Sequence, residues 1–82
     1  EWGLTLYRPM PKLPIVSGHD VIHALERLGF SVTRQRGSHI MMRRGSFGCV
    51  VPKHRELKLG TLNGLLKQAG ISPKEFIEAL NV

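Results

Sequence analysis

Eighty-two residues with a hydrophobic share of 41% suffice for one compact core, and no apolar run approaches the roughly 18 residues of a membrane span. A single cysteine, Cys49, excludes an intrachain disulfide, and six acids leave little scope for paired-carboxylate catalysis. The net charge of +6 points instead to a polyanionic partner, with nucleic acid the foremost class.

Residues 1–9 do not match the rest of the chain, whereas Met10-Pro11-Lys12 reads as a natural start. The expectation is an upstream extension or a vector-derived scar over residues 1–9 and a single domain over residues 10–82. A first helix is expected from about Gly18 to Leu28. Ser17 is its N-cap, and Asp20 suits the positive end of the helix dipole. Val21, Ile22, Ala24, Leu25 and Leu28 recur at helical spacing, and Gly29 supplies the stop from which Phe30 folds back.

Three short strands are expected next. Phe30 to Gln35 sets Phe30, Val32 and Arg34 against Ser31, Thr33 and Gln35, the alternation of a half-buried strand. Gly37-Ser38 turns the chain into His39–Arg43, and Arg44-Gly45-Ser46 turns it again into Phe47–Val51, which Pro52 ends. Links this short predict an antiparallel meander. In the middle strand Met41 and Arg43 share the face of His39, and Ile40 and Met42 take the other.

After a charged loop from Lys53 to Lys58, a second helix is expected over Leu59–Ala69. Its apolar face is Leu59, Leu62, Leu65, Leu66 and Ala69, with Gly70 as the stop. A third opens on Ser72-Pro73-Lys74-Glu75, a capping box with proline in the first turn, and carries Phe76, Ile77 and Leu80 on one stripe. The predicted fold is α+β in the order α-β-β-β-α-α, with helices on one face of a three-stranded antiparallel sheet.

Charge is uneven along this framework. Seven of the twelve basic residues (Arg34, Arg36, Arg43, Arg44, Lys53, Arg55 and Lys58) lie in one stretch where Glu56 is the only acid. They are candidate phosphate contacts. His39 stands in the same stretch, behind Gly37 and Ser38, a turn that keeps bulk away from it. Histidine exchanges protons near neutral pH, and RNA carries its own nucleophile in the 2′-hydroxyl. A base beside that hydroxyl allows attack on the adjacent phosphorus, leaving a cyclic phosphate and a free 5′-hydroxyl, with no metal or cofactor required. His54 is the second candidate acid or base, since pairing of the second and third strands brings the start of one near the end of the other.

Other features carry less. His19 and His23 have chelating spacing, but they project opposite the apolar stripe of the first helix and no third ligand is evident. The second and third helices imitate a DNA-binding helix-turn-helix, yet the third carries Glu75 and Glu78 against Lys74 alone. Cys49, in an apolar run, is expected to be a buried thiol.

The ordered set Ser17-Gly18, Leu28-Gly29-Phe30, Arg36-Gly37-Ser38-His39, Val51-Pro52-Lys53-His54 and Glu56-Leu57-Lys58-Leu59-Gly60-Thr61-Leu62 through Gly70-Ile71 resembles the HicA toxin family. The resemblance spans about Met10 to Leu80. It implies a double-stranded-RNA-binding-domain-like fold and a ribosome-independent mRNA endonuclease, the toxin of a type II toxin–antitoxin pair. It also implies His39 as the catalytic histidine, Pro52 and His54 as a proline–any–histidine element, and a HicB-type antitoxin as the inhibitory partner. Leu59-Gly60 departs mildly from a pattern in which proline often precedes that glycine. The expected substrate is mRNA or another single-stranded RNA, and the expected address is the cytoplasm. Two other readings stay open: a non-catalytic RNA-binding module, and a protein whose exposed sheet docks a partner.

Overall fold

Ser17 and Asp20 open the first helix by exchanging hydrogen bonds: the Asp20 N–H donates to Ser17 Oγ at 3.1 Å and the Ser17 N–H to Asp20 Oδ2 at 3.2 Å. This capping box starts α1 (Gly18–Arg27), in a computed structural model that describes residues 13–82. The boundary expected at Met10, and the extension before it, lie outside the described residues. α1 buries Val21, Ala24 and Leu25. Past its end the Phe30 N–H donates to the Leu25 carbonyl at 2.9 Å, which carries the Phe30 ring into the core.

The strands β1 (Ser31–Arg36), β2 (His39–Arg44) and β3 (Phe47–Pro52) form an antiparallel sheet in the order β1-β2-β3. Both hairpins close on Gly-Ser pairs. Gly37 and Gly45 take φ of 57° and 61°, while neither serine has a positive φ. A left-handed φ at the first central position alone is what a type II′ turn asks for, and glycine meets it without steric cost.

Two further helices, α2 (Leu59–Ala69) and α3 (Pro73–Leu80), complete the chain. Ser72 and Glu75 form a second reciprocal box at the head of α3, and its hydrogen bonds hold the Glu75 carboxyl below its usual pKa. The helices cover one face of the sheet. Ile40, Met42, Cys49 and Val51 point into that layer and pack with Leu62, Leu65, Leu66, Phe76 and the apolar stripe of α1 in a single cluster. Arg27 ties α1 to α3, its Nη1 donating to the Ala79 carbonyl at 2.7 Å. The architecture is the predicted α-β-β-β-α-α order with helices on one side. No described helix is long and apolar enough to cross a membrane.

Two expectations change. β1 is not half-buried: all six of its residues are exposed. Both β1 and β3 are edge strands, but the core cluster takes its sheet residues from β2 and β3 and leaves β1 uncovered. Its alternation also breaks. Val32 lies opposite Met42, but Arg34, two residues on, lies opposite Met41, so a bulge at Thr33 shifts the phase. Arg34 therefore does not share a face with Val32. In α2, Leu59 is 63% exposed rather than part of the apolar face. Leu57, within the charged loop, is buried instead, its N–H donating to the Val16 carbonyl at 2.8 Å.

Candidate active site on the open sheet face

Residues directly opposite on neighbouring antiparallel strands point to the same side of a sheet, with Cβ atoms about 4.5–5.5 Å apart. The register therefore lays out the open face as three rows. Arg36, His39 and Pro52 form the first; Arg34, Met41 and Val50 the second; Ser31, Arg43 and Gly48 the third. His39, Met41 and Arg43 are exposed, while their neighbours Ile40 and Met42 are buried, as the alternation in β2 predicts.

The turn and the strand ends are held around His39. The Lys53 N–H donates to the Ser38 carbonyl at 2.6 Å, extending the β2–β3 ladder past the Pro52 pair. Gln35 Nε2 donates to the Gly37 carbonyl at 3.1 Å, bracing the turn from the first strand. His54 lies two residues beyond the cross-strand partner of His39, at the same end of the sheet. Its carbonyl accepts from the Gly18 N–H at 2.9 Å, so the head of α1 anchors the loop that carries it. Gly18 is buried against this loop: a Cβ there would run into the Pro52 carbonyl oxygen and stand 2.9 Å from Lys53 Cα. The glycine after Ser17 is the sequence signal for this close approach. Its partner was not legible, because it lies on a distant strand.

The face is electropositive. From Ser31 to Pro52 the chain contains no Asp or Glu. Among the described residues, the one cation–carboxylate contact within 4 Å is His23 Nδ1 to Glu26 Oε1 at 3.6 Å, on the far helix. Arg34, Arg36 and Arg43 thus share the face of His39 without a carboxylate to neutralise them, which favours a polyanion.

The remaining candidates stand elsewhere. Arg44 pairs with Phe47 on the helix side. Its Nη1 donates to the Leu28 carbonyl at 2.7 Å and its guanidinium carbon sits 4.9 Å from the Phe30 ring centroid. That arginine caps the end of α1. Lys53, Arg55 and Lys58 are exposed on the loop between β3 and α2, with Lys58 at the N-cap of α2.

The family model described as HicA toxin of bacterial toxin-antitoxin matches residues 18–71, two thirds of the chain. The chain belongs to the HicA toxin family. The match runs from the head of α1 to just past α2 and includes the whole sheet, both hairpin turns and the His54 loop. HicA membership gives the chain a toxin role in a toxin–antitoxin system and implies a cognate antitoxin. No curated protein matches the chain.

Two other sequence candidates resolve structurally. Cys49 is buried on the helix side, and burial pushes its thiol from 9.0 up to about 11. It stays protonated and poorly nucleophilic at neutral pH. The exposed His19 and His23 rings of α1 meet edge to face with centroids 4.7 Å apart. Among the described residues no third His, Cys, Asp or Glu joins them in a metal-binding group.

Proposed function

We propose that this toxin is a metal-independent, ribosome-independent endoribonuclease acting on mRNA or other single-stranded RNA in the cytoplasm. In this reading His39 transfers the proton. The supporting observation is the first row of the open face: an exposed histidine between Arg36 and Pro52, on a face without acids and behind a tight Gly-Ser turn. Imidazole accepts the 2′-hydroxyl proton as the 2′-oxygen attacks phosphorus, giving a 2′,3′-cyclic phosphate and releasing the 5′-oxygen. His54, at the same end of the sheet, is the candidate donor to that leaving oxygen. Arg34, Arg36 and Arg43 hold phosphates on the face, and Lys53, Arg55 and Lys58 extend the cationic track along the loop. A HicB-type antitoxin inhibits the toxin by covering the same open face.

The test is cleavage of a single-stranded RNA in EDTA, without ribosomes, by the parent and by His39→Ala. Loss of general acid–base help costs about 10²–10⁴-fold in rate. Because His39 is exposed, thermal stability should be kept. Cleavage by the parent alone, with cyclic-phosphate ends, supports the reading. Undiminished cleavage by the variant refutes the role of His39, and binding without scission by either protein would make the chain an RNA-binding module.

A further inference from the structure

We infer that Arg36 is a second catalytic residue of this site, the one that holds the scissile phosphate, while Arg34 and Arg43 hold its neighbours. This rests on the endonuclease reading and goes beyond it by dividing the arginines of one face into two roles.

Three observations carry the division. First, Arg36 is the direct cross-strand partner of His39, and the two-residue turn between them allows little change in their spacing. The other flank of His39 is Pro52, whose side chain donates no hydrogen bond. Within the sheet, then, the donor beside the imidazole comes from Arg36. Second, the Arg36 guanidinium makes no hydrogen bond or salt bridge among the described residues, whereas Arg27 and Arg44 each donate to a backbone carbonyl at 2.7 Å. Its fork is free for two oxygens of one phosphate, a geometry that suits guanidinium better than ammonium. Third, Arg34 and Arg43 lie one and two rows away, each row about 6.8 Å further along the strand. They are placed for flanking phosphates, not the reacting one.

The roles differ chemically. In the step, the bond from the 2′-oxygen to phosphorus forms as the bond from phosphorus to the 5′-oxygen breaks. The 2′-hydroxyl proton passes to the His39 imidazole, and the 5′-oxygen takes a proton from His54 or from solvent. Arg36 exchanges no proton. It donates to the non-bridging oxygens, whose negative charge grows as phosphorus becomes five-coordinate, so its contribution is larger in the transition state than in the bound substrate. A flanking arginine sees the same phosphate charge throughout and contributes equally to both.

The experiment is steady-state cleavage of one short single-stranded RNA in EDTA by the parent, His39→Ala, Arg36→Ala, Arg36→Lys, Arg34→Ala and Lys67→Ala, with melting temperatures measured in parallel. Arg36→Ala should lower kcat by about 10²–10³-fold with little change in KM, and Arg36→Lys should recover only part of it. Arg34→Ala should raise KM and leave kcat near the parent value. Lys67→Ala, a charge removed from the last turn of α2 on the helical layer, should change neither. A kcat within about threefold of the parent for Arg36→Ala, in a protein whose cleavage still depends on His39, overturns the inference and leaves the endonuclease reading standing. If the parent does not cleave, or His39→Ala cleaves as well, the underlying reading fails, and the inference with it.

Discussion

Replacing Gly18 with alanine tests how the His54 loop is seated on the head of α1. A Cβ at this position meets three backbone atoms: the Pro52 oxygen, Lys53 Cα at 2.9 Å and the Pro52 carbonyl carbon at 3.0 Å. None belongs to a side chain that can rotate away, so α1 must retreat from the end of β3. Overpacking of this kind costs about 1–3 kcal/mol. The retreat also stretches the 2.9 Å hydrogen bond from Gly18 N–H to the His54 carbonyl, and such a bond contributes a net 0.5–1.5 kcal/mol, roughly. Against this stands the better helix propensity of alanine, at most about 1 kcal/mol and less in a first turn. The clash wins, by about 1–3 kcal/mol. At about 4–8 °C per kcal/mol for a domain of this size, the melting temperature should fall by roughly 5–20 °C. Gly64→Ala is the matched control: it lies inside α2, has no left-handed φ, and a Cβ there meets nothing within 4 Å. It should gain up to about 1 kcal/mol and melt a few degrees higher. Thermal unfolding by circular dichroism separates the two signs. Equal melting points for Gly18→Ala and the parent would refute the close-approach argument.

Arg44→Ala should destabilise the fold by about 1–3 kcal/mol, through the lost bond to the Leu28 carbonyl and the lost contact over Phe30. The salt dependence of RNA binding should keep its slope, because this guanidinium lies on the helix side; a slope reduced by about one would return Arg44 to the phosphate contacts. Cys49 should resist a thiol-alkylating reagent at pH 8 in the native protein and react once denatured, and rapid native labelling would contradict its burial. Its thiol titrates at about 11 when folded against 9.0 for the free group. Its linkage is therefore flat below pH 9 and takes stability away as pH rises from there towards 11. A Cys49→Ala variant should lose that alkaline component, read as a weaker dependence of the denaturation midpoint on pH across this window.

The sequence alone determined what depends on neighbours a few residues apart. The Ser17 N-cap, the Ser72–Glu75 capping box, the two Gly-Ser turns, the helical stripe of α1 and the element order follow from local hydrogen bonding and periodicity, and all were legible, whereas α3 buries Phe76 and Ala79 rather than the expected Phe76, Ile77 and Leu80 stripe. So was the face of β2 on which His39, Met41 and Arg43 sit, because alternation within one strand needs no partner. The distribution of the other arginines was decided by tertiary structure. Strict alternation groups Arg34 with Phe30 and Val32, facing inward. The observed register instead starts from the two-residue turn, which sets Arg36 opposite His39 and Arg34 opposite Met41. The bulge at Thr33 absorbs the mismatch, so that Val32 still faces the helix layer beside Met42. Val32 stays 46% exposed there, so the register is set by the turn and by pairing with β2, and a bulge of this kind arises only once two strands pair. Arg44 and Gly18 belong to the same class. One is taken from the cationic face by a carbonyl sixteen residues earlier, and the other is required by a backbone more than thirty residues later. Long-range partners of this kind leave no periodic mark on the chain.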